Sequence, residues 1–363
     1  MRFKAKKIHS ESLFEPLEKI TSFIVQSFQL RYVSEMKLLI SAFVWCSPFF
    51  FAIAAPPLLN GQEVPADHML RKSTVALVNE DKGRLDVFCS GTVIGKRLVI
   101  TAAHCVEEWY QGKLFIGAGT NPRKGKLIPV SRLKFILNSG LDEETRNGDL
   151  AILFFDEPLR DFEPVSLGIP SELSSVTILL QSGYGYNTKE ERKHWPFLGK
   201  LLMESNAKFE SLEDKILKTV QSSNSGVLGG DSGGPLYSLD RNKLRLQGVL
   251  ASGEYGGDSV IAKYTHPHFA LTWMNCALPE DDRITLPPIG VFNQIPCDSQ
   301  PLIKMEDVPS FTKKLCEIRN PGWTISQDTG CWPETKEACL ELARETSGDV
   351  FWDELTRECD ITE

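Results

Sequence analysis

No internal repeat, low-complexity tract or long basic run breaks the 363-residue sequence. Basic charge is in short supply: the formal net charge is −8. Seven of the 40 Lys/Arg and four of the 48 Asp/Glu lie in residues 1–57, so the remainder carries −11. A chain this acidic is not expected to bind nucleic acid by neutralising phosphates. Paired C-x-x-C knuckles are also missing, and no histidine flanks the last four cysteines. Neither a zinc site nor any other metal is expected, and no cofactor. With 42% hydrophobic and 24% charged residues, the composition excludes both long disorder and a multi-span membrane protein.

The one long apolar run is at 36–55, MKLLISAFVWCSPFFFAIAA. Lys37 starts it and Ala52-Ile53-Ala54 offers a small-residue cleavage pattern, so it reads as a bacterial-style export signal. The competing reading, a membrane anchor, is weakened by Ser41, Ser47 and Pro48 and by the lack of a basic stop. Cys46 follows the bulky Trp45, which fits lipid attachment poorly. Residues 1–35 have no role in export, and translation starting at Met36 would explain them as a non-native extension. After removal of the signal no stable membrane association is expected, and the protein is read as secreted or periplasmic.

Eight cysteines then remain: Cys89, Cys105, Cys276, Cys297, Cys316, Cys331, Cys339 and Cys359. An even number in an exported chain predicts disulfides. The six from Cys276 onward allow 15 pairings. Short runs rich in β-branched and aromatic residues at 73–79, 87–95, 97–105, 113–119, 149–155, 176–185, 243–252 and 259–265 predict strands of an all-β sandwich or barrel. HFALTWMNCAL (268–278) has helical spacing. Residues 279–300 are proline-rich and read as a linker or wrapping segment. The tail 301–363 holds four cysteines and one predicted helix, TKEACLELARETS, and relies on disulfides for stability.

Three motifs carry chemistry. GGDSGGPL (229–236) sets Ser232 on a glycine-rich turn that lets a substrate approach closely. A serine hydroxyl is a weak nucleophile and needs a base with an orienting acid. TAAHC (101–105) supplies His104, and NGDLAILFF (147–155) supplies Asp149. His68, His194, His266 and His268 read as solvated surface histidines.

The order His104, Asp149, Ser232, with Cys89 sixteen residues before Cys105, resembles the chymotrypsin (trypsin-like) serine protease family over residues 58–278. The resemblance implies two packed six-stranded antiparallel β-barrels with a C-terminal helix, followed here by the small disulfide-containing extension. It implies a serine endopeptidase acting on protein or peptide substrates as a monomer. Ser232 would attack the scissile carbonyl, His104 would carry its proton, and Asp149 would fix the imidazole tautomer. The N–H groups of Gly230 and Ser232 would form an oxyanion hole, each donor worth roughly 3–4 kcal/mol in the transition state. Cys89 and Cys105 match the family's disulfide beside the base. SGYGYN (182–187) resembles the turn beside the oxyanion loop, although Gly183 and Gly185 also suit an ordinary strand end.

Leu58-Leu59-Asn60-Gly61 resembles the family's mature start, whose freed amine pairs with the residue before the nucleophile, here Asp231. Cleavage before Leu58 is therefore expected, with leucine a departure from the usual isoleucine. The specificity pocket departs further. Gly226 occupies its base, with Ala251, Gly253 and Ser259 around it, and Leu228 stands where a bracing cysteine would be. A small or medium apolar P1 residue is expected. The alternatives are a basic P1 residue read by Asp258, a catalytically silent binding protein on the same fold, and a tail that acts as an adhesion or targeting module.

Overall fold

The computed structural model describes residues 58, 61–107, 113–119, 121–136, 148–173, 178–186, 201–213, 215–222, 225–256, 258–278, 280, 283–284, 297, 302–308, 323–326, 330–333, 335–345, 350–353 and 358–361. The proposed extension (1–35), the export signal (36–55) and His194 lie outside them. Among the described residues no helix is long and apolar enough to cross a membrane.

The chain enters through β1 (Gln62–Glu63) and a helical turn, α1 (Leu70–Ser73). A first sheet follows from β2 (Thr74–Asp81), β3 (Arg84–Gly95), β4 (Leu98–Thr101), β5 (Lys113–Gly117), β6 (Ile128–Pro129), β7 (Arg132–Phe135) and β8 (Ala151–Phe154). Its antiparallel order is β7-β8-β4-β3-β2-β5-β6. A short helix, α2 (His104–Glu107), leaves β4. The apolar residues of β2, β4 and β8 are buried without a polar alternation, because both faces of these strands pack against protein.

The second sheet contains β9 (Ser166–Leu167), β10 (Ile178–Gly183), β11 (Leu202–Glu213), β12 (Ile216–Ser222), β13 (Pro235–Asp240), β14 (Lys243–Gly256) and β15 (Ser259–Thr265). Six strands run β11-β10-β13-β14-β15-β12, and β12 pairs again with β11, closing a barrel. β1 joins it on β11, with Gln62 opposite Met203. A 3-10 turn (Pro267–Ala270) and α3 (Leu271–Cys276) close the second half. Trp273 and Met274 of α3 are buried in a core that spans both halves. The architecture is the all-β fold predicted from the sequence, with a half-barrel and a closed six-stranded barrel.

Cys297 is bonded to Cys276 at the end of α3. Lys134 of β7, a buried cation, donates to the Cys297 carbonyl at 3.1 Å and lies 5.0 Å over the Trp273 ring. A further strand, β16 (Ile303–Lys304), then pairs with β7 and extends the first sheet. Ile303 and Val308 are buried among Leu133, Phe135 and Leu159. The tail beyond forms two hairpins, β17 (Trp323–Ser326) with β18 (Gly330–Pro333) and β19 (Val350–Asp353) with β20 (Glu358–Ile361). Helix α4 (Lys336–Glu345) lies between them in sequence, and Cys339–Cys359 links it to β20.

Two sequence expectations are corrected. His266 and His268 are buried rather than solvated. The His266 ring accepts the His268 N–H at 3.2 Å and so caps the 3-10 turn that follows β15. Burial, followed by the neighbouring His268, pushes the His266 pKa down to about 3, so it packs as a neutral ring. His68 is half-buried beside the start of α1, its Nδ1 accepting the Leu70 N–H at 3.3 Å.

Candidate active site

β4 delivers the candidate base. The apolar run Leu98–Thr101 ends in α2, whose first residue is His104. Asp149 sits just ahead of β8, which is paired to β4 in the register Thr101 opposite Ala151. That pairing brings two residues 45 positions apart into contact. Asp149 Oδ2 lies 2.6 Å from His104 Nδ1, and Asp149 Oδ1 accepts the His104 backbone N–H at 3.0 Å. The aspartate is fully buried, while the His104 side chain keeps 19% exposure. A buried carboxylate held by two donors fixes the ring and leaves Nε2 for a proton.

The Cys89–Cys105 disulfide forms as expected, joining β3 to α2 across 16 residues. Closing such a loop stabilises by about 3 kcal/mol in the chain-entropy description. Cys89, Cys105 and His104 also cluster within metal-ligand distance, but both sulfurs are oxidised and Nδ1 is engaged by Asp149. The cluster therefore lacks thiolates to hold a cation.

Ser232 lies half-buried in the turn before β13. No hydrogen bond joins Ser232 to His104 in this structure, and His104 Nε2 is 4.0 Å from Cys105 Sγ. Nucleophile and base contacts are commonly loose before substrate binds. The loop around Ser232 is otherwise closely tied. Asp231 N donates to Leu228 O at 3.1 Å, Gly234 N to Asp231 O at 2.8 Å, and Gly233 N to Leu250 O at 2.8 Å. The N–H groups of Gly230 and Ser232 donate to nothing among the described residues. Those are the two donors expected to form the oxyanion hole.

Glycine is required at two of these positions. Gly230 adopts φ +91° and Gly233 adopts φ +75°. A side chain at Gly233 would also collide with Thr101 Oγ1 and the Ser90 carbonyl.

Asp231 is buried without a cation beside it among the described residues. Its oxygens accept the N–H groups of Gly185 and Leu228, each at 2.9 Å. Burial outweighs these bonds and pushes its pKa up to about 7. Leu58 is also buried, with φ +56°, but no hydrogen bond joins it to Asp231 in the intact chain. Gly183 and Gly185 pack directly on the Asp231 side chain, so their turn is part of this site.

Among the residues expected to line a specificity pocket, Gly253 is exposed on β14 opposite Ala262, and Ala251 is buried. Ser259 opens β15 opposite Gly256, and Asp258 is exposed in the intervening turn. A Cβ on Gly226 would meet Val260 and the Gln221 amide oxygen. Sequence reading missed Val227: a Cβ on Gly253 would lie 2.7 Å from Val227 Cγ2, so this valine fills the space before that wall. A β-branched residue five before Ser232 was the available signal.

The family model Trypsin matches residues 60–274. The snake venom serine protease catroxase-2 of Crotalus atrox is 24% identical over 230 residues, covering 60% of this chain and 86% of that protein. The platelet-aggregating proteinase PA-BJ of Bothrops jararaca is 25% identical over 236 residues, with coverage of 61% and 96%. The thrombin-like enzyme elegaxobin-1 of Protobothrops elegans is 26% identical over 218 residues, with coverage of 56% and 91%. The match spans well over half of the chain and includes the loops that carry His104, Asp149 and Ser232, so this protein belongs to the trypsin family of serine endopeptidases.

Proposed function

We propose that the chain is an extracellular endopeptidase that cleaves peptide bonds through an acyl-enzyme formed on Ser232. His104 takes the Ser232 proton as the hydroxyl attacks and delivers it to the leaving amine. Asp149 holds the ring with Nδ1 protonated and stabilises the imidazolium. Gly230 and Ser232 donate their N–H groups to the oxyanion. Water then releases the acyl group, with His104 again acting as base. The single observation that carries this reading is the pair of bonds from Asp149 to the ring and backbone of His104.

The P1 residue is small and apolar. Gly226 is faced by Val260 and an uncharged amide, Val227 fills the space before Gly253, and the Asp258 carboxylate is exposed. A basic P1 residue would need a buried carboxylate to pair with it. Cleavage of a peptide library tests activity and preference together: cuts after Ala or Val support the reading, and cuts confined to Arg or Lys overturn it.

Residues 36–55 act as the export signal, and residues 58–278 with the returning segment 297–308 make up the protease. The Cys89–Cys105 disulfide fits an oxidising, extracellular destination. Venom relatives favour the same destination, and nothing favours a periplasm. Cleavage before Leu58 frees an amine that pairs with buried Asp231 and orders the oxyanion loop. Mass analysis of the active protein tests this, and active enzyme starting elsewhere would refute it.

A further inference from the structure

We infer that Ser90 is a positioning residue for the oxyanion loop, its hydroxyl holding the Gly230 carbonyl, next in the chain to the Gly230 donor, from the opposite half of the molecule. The inference rests on Ser232 as nucleophile and on Gly230 and Ser232 as oxyanion donors.

Ser90 lies in β3 next to disulfide-bonded Cys89 and has no solvent exposure. All of its polar groups are used. Its N–H donates to Ser232 O at 2.8 Å, and its carbonyl accepts from Thr101 Oγ1 at 2.7 Å. Its hydroxyl accepts the Tyr184 N–H at 2.8 Å and donates to Gly230 O at 2.9 Å. One O–H and two lone pairs satisfy both roles at once.

The Gly230 donor belongs to the peptide between Gly229 and Gly230. Two adjacent glycines offer little resistance to a peptide flip that would turn this N–H out of the hole. One bond opposes the flip directly: Tyr186 N donates to Gly229 O of this same peptide at 3.1 Å. Ser90 Oγ donates to Gly230 O of the following peptide, which fixes the frame from which the Gly230 N–H is aimed. Ser90 also grips the turn that carries Tyr186, through Tyr184 N, so the two restraints share an anchor. Because Asp231 has no cation beside it among the described residues, neutral hydrogen bonds hold this loop in the intact chain.

The hole acts on charge that develops only in the transition state. Removing the Ser90 hydroxyl should therefore lower kcat and leave ground-state binding alone. The test compares wild type, Ser90→Ala, Ser90→Gly and Ser90→Thr for kcat, KM and the Ki of a peptide boronic acid. Rates are expressed per Ser232 labelled to end point by a phosphonylating reagent, and thermal melting is recorded for each variant.

We expect kcat to fall about tenfold or more in the Ala and Gly variants, a part of the loss for deleting one donor outright. KM should stay within about threefold, and Ki should rise in step with the fall in kcat/KM. Threonine, which keeps the hydroxyl, should recover most of the rate. Hydroxyl-free variants within about twofold of wild-type kcat, or a rise confined to KM, would overturn the proposal. So would loss of folding in both, which would make Ser90 a purely structural residue. A wild type that takes no label at Ser232 instead removes the nucleophile assignment itself.

Discussion

Asp149 grips His104 twice, through the ring at 2.6 Å and through the backbone N–H at 3.0 Å. The contact fixes which ring nitrogen carries the proton, so chemistry and position share one buried carboxylate. Replacing Asp149 by Asn keeps the shape and reverses the tautomer demand. It should lower kcat by about 10⁴, the loss characteristic of this triad, with KM little changed. Steady-state kinetics on a peptide substrate would check this. A loss below about tenfold would mean that the contact does not orient the base.

Asp231 predicts a pH dependence with a definite sign. Its pKa in the folded intact chain is about 7, against an ordinary value of 3.8. The folded state thus keeps a proton that the unfolded chain releases. Stability should fall as pH rises from about 4 to about 7, by on the order of 4 kcal/mol from this group, then level off. Denaturant titrations of the intact chain across that range should show the slope, and Asp231→Asn should remove it. If cleavage before Leu58 brings an amine to Asp231, the charged carboxylate becomes the favoured form and the slope should disappear.

On the proposed P1 pocket, Val227 would set the upper limit on residue size. Trimming it to Gly removes three carbons from the wall at Gly253. We expect kcat/KM for Leu or Phe at P1 to rise at least about tenfold relative to Ala, since each methylene contributes about 10–200-fold in an apolar pocket. Competition between two fluorogenic peptides measures the ratio directly. An unchanged ratio would place the pocket elsewhere.

Ile303 tests whether the returning segment belongs to the protease core. It is 6% exposed and packs with Leu133 and Phe135 of β7. Ile303→Ala should cost about 2–4 kcal/mol, as for other large-to-small core changes. A chemical melt would read the change, and a cost near zero would leave residue 303 to the C-terminal extension rather than to the protease core.

The triad candidates were legible in the sequence because each stands in a short motif that chemistry constrains. β2, β3 and β15 were legible because β-branched residues concentrate there. β11 was not: LMESNAKFESLE shows no apolar alternation, and the strand owes its form to pairing with β10 and β12 on its two sides. β16 escaped because two residues have no period, and only Ile303 docking beside β7 defines them. The burial of His266 and His268 was equally hidden, since polarity suggests a surface and the capping of the turn after β15 overrides it. Ser90 gave no local sign at all. Its role depends on partners at Tyr184, Gly230 and Ser232, all distant in sequence.

Every activity expected of this protein depends on Ser232 being a nucleophile activated by His104. The most direct measurement is reaction of the processed protein with a phosphonylating reagent, followed by peptide mass analysis. One adduct is expected, on Ser232, abolished by Ser232→Ala and slowed at least about 10³-fold by His104→Ala. Absence of an adduct on the correctly folded, processed protein, or an adduct on a different serine, would contradict it.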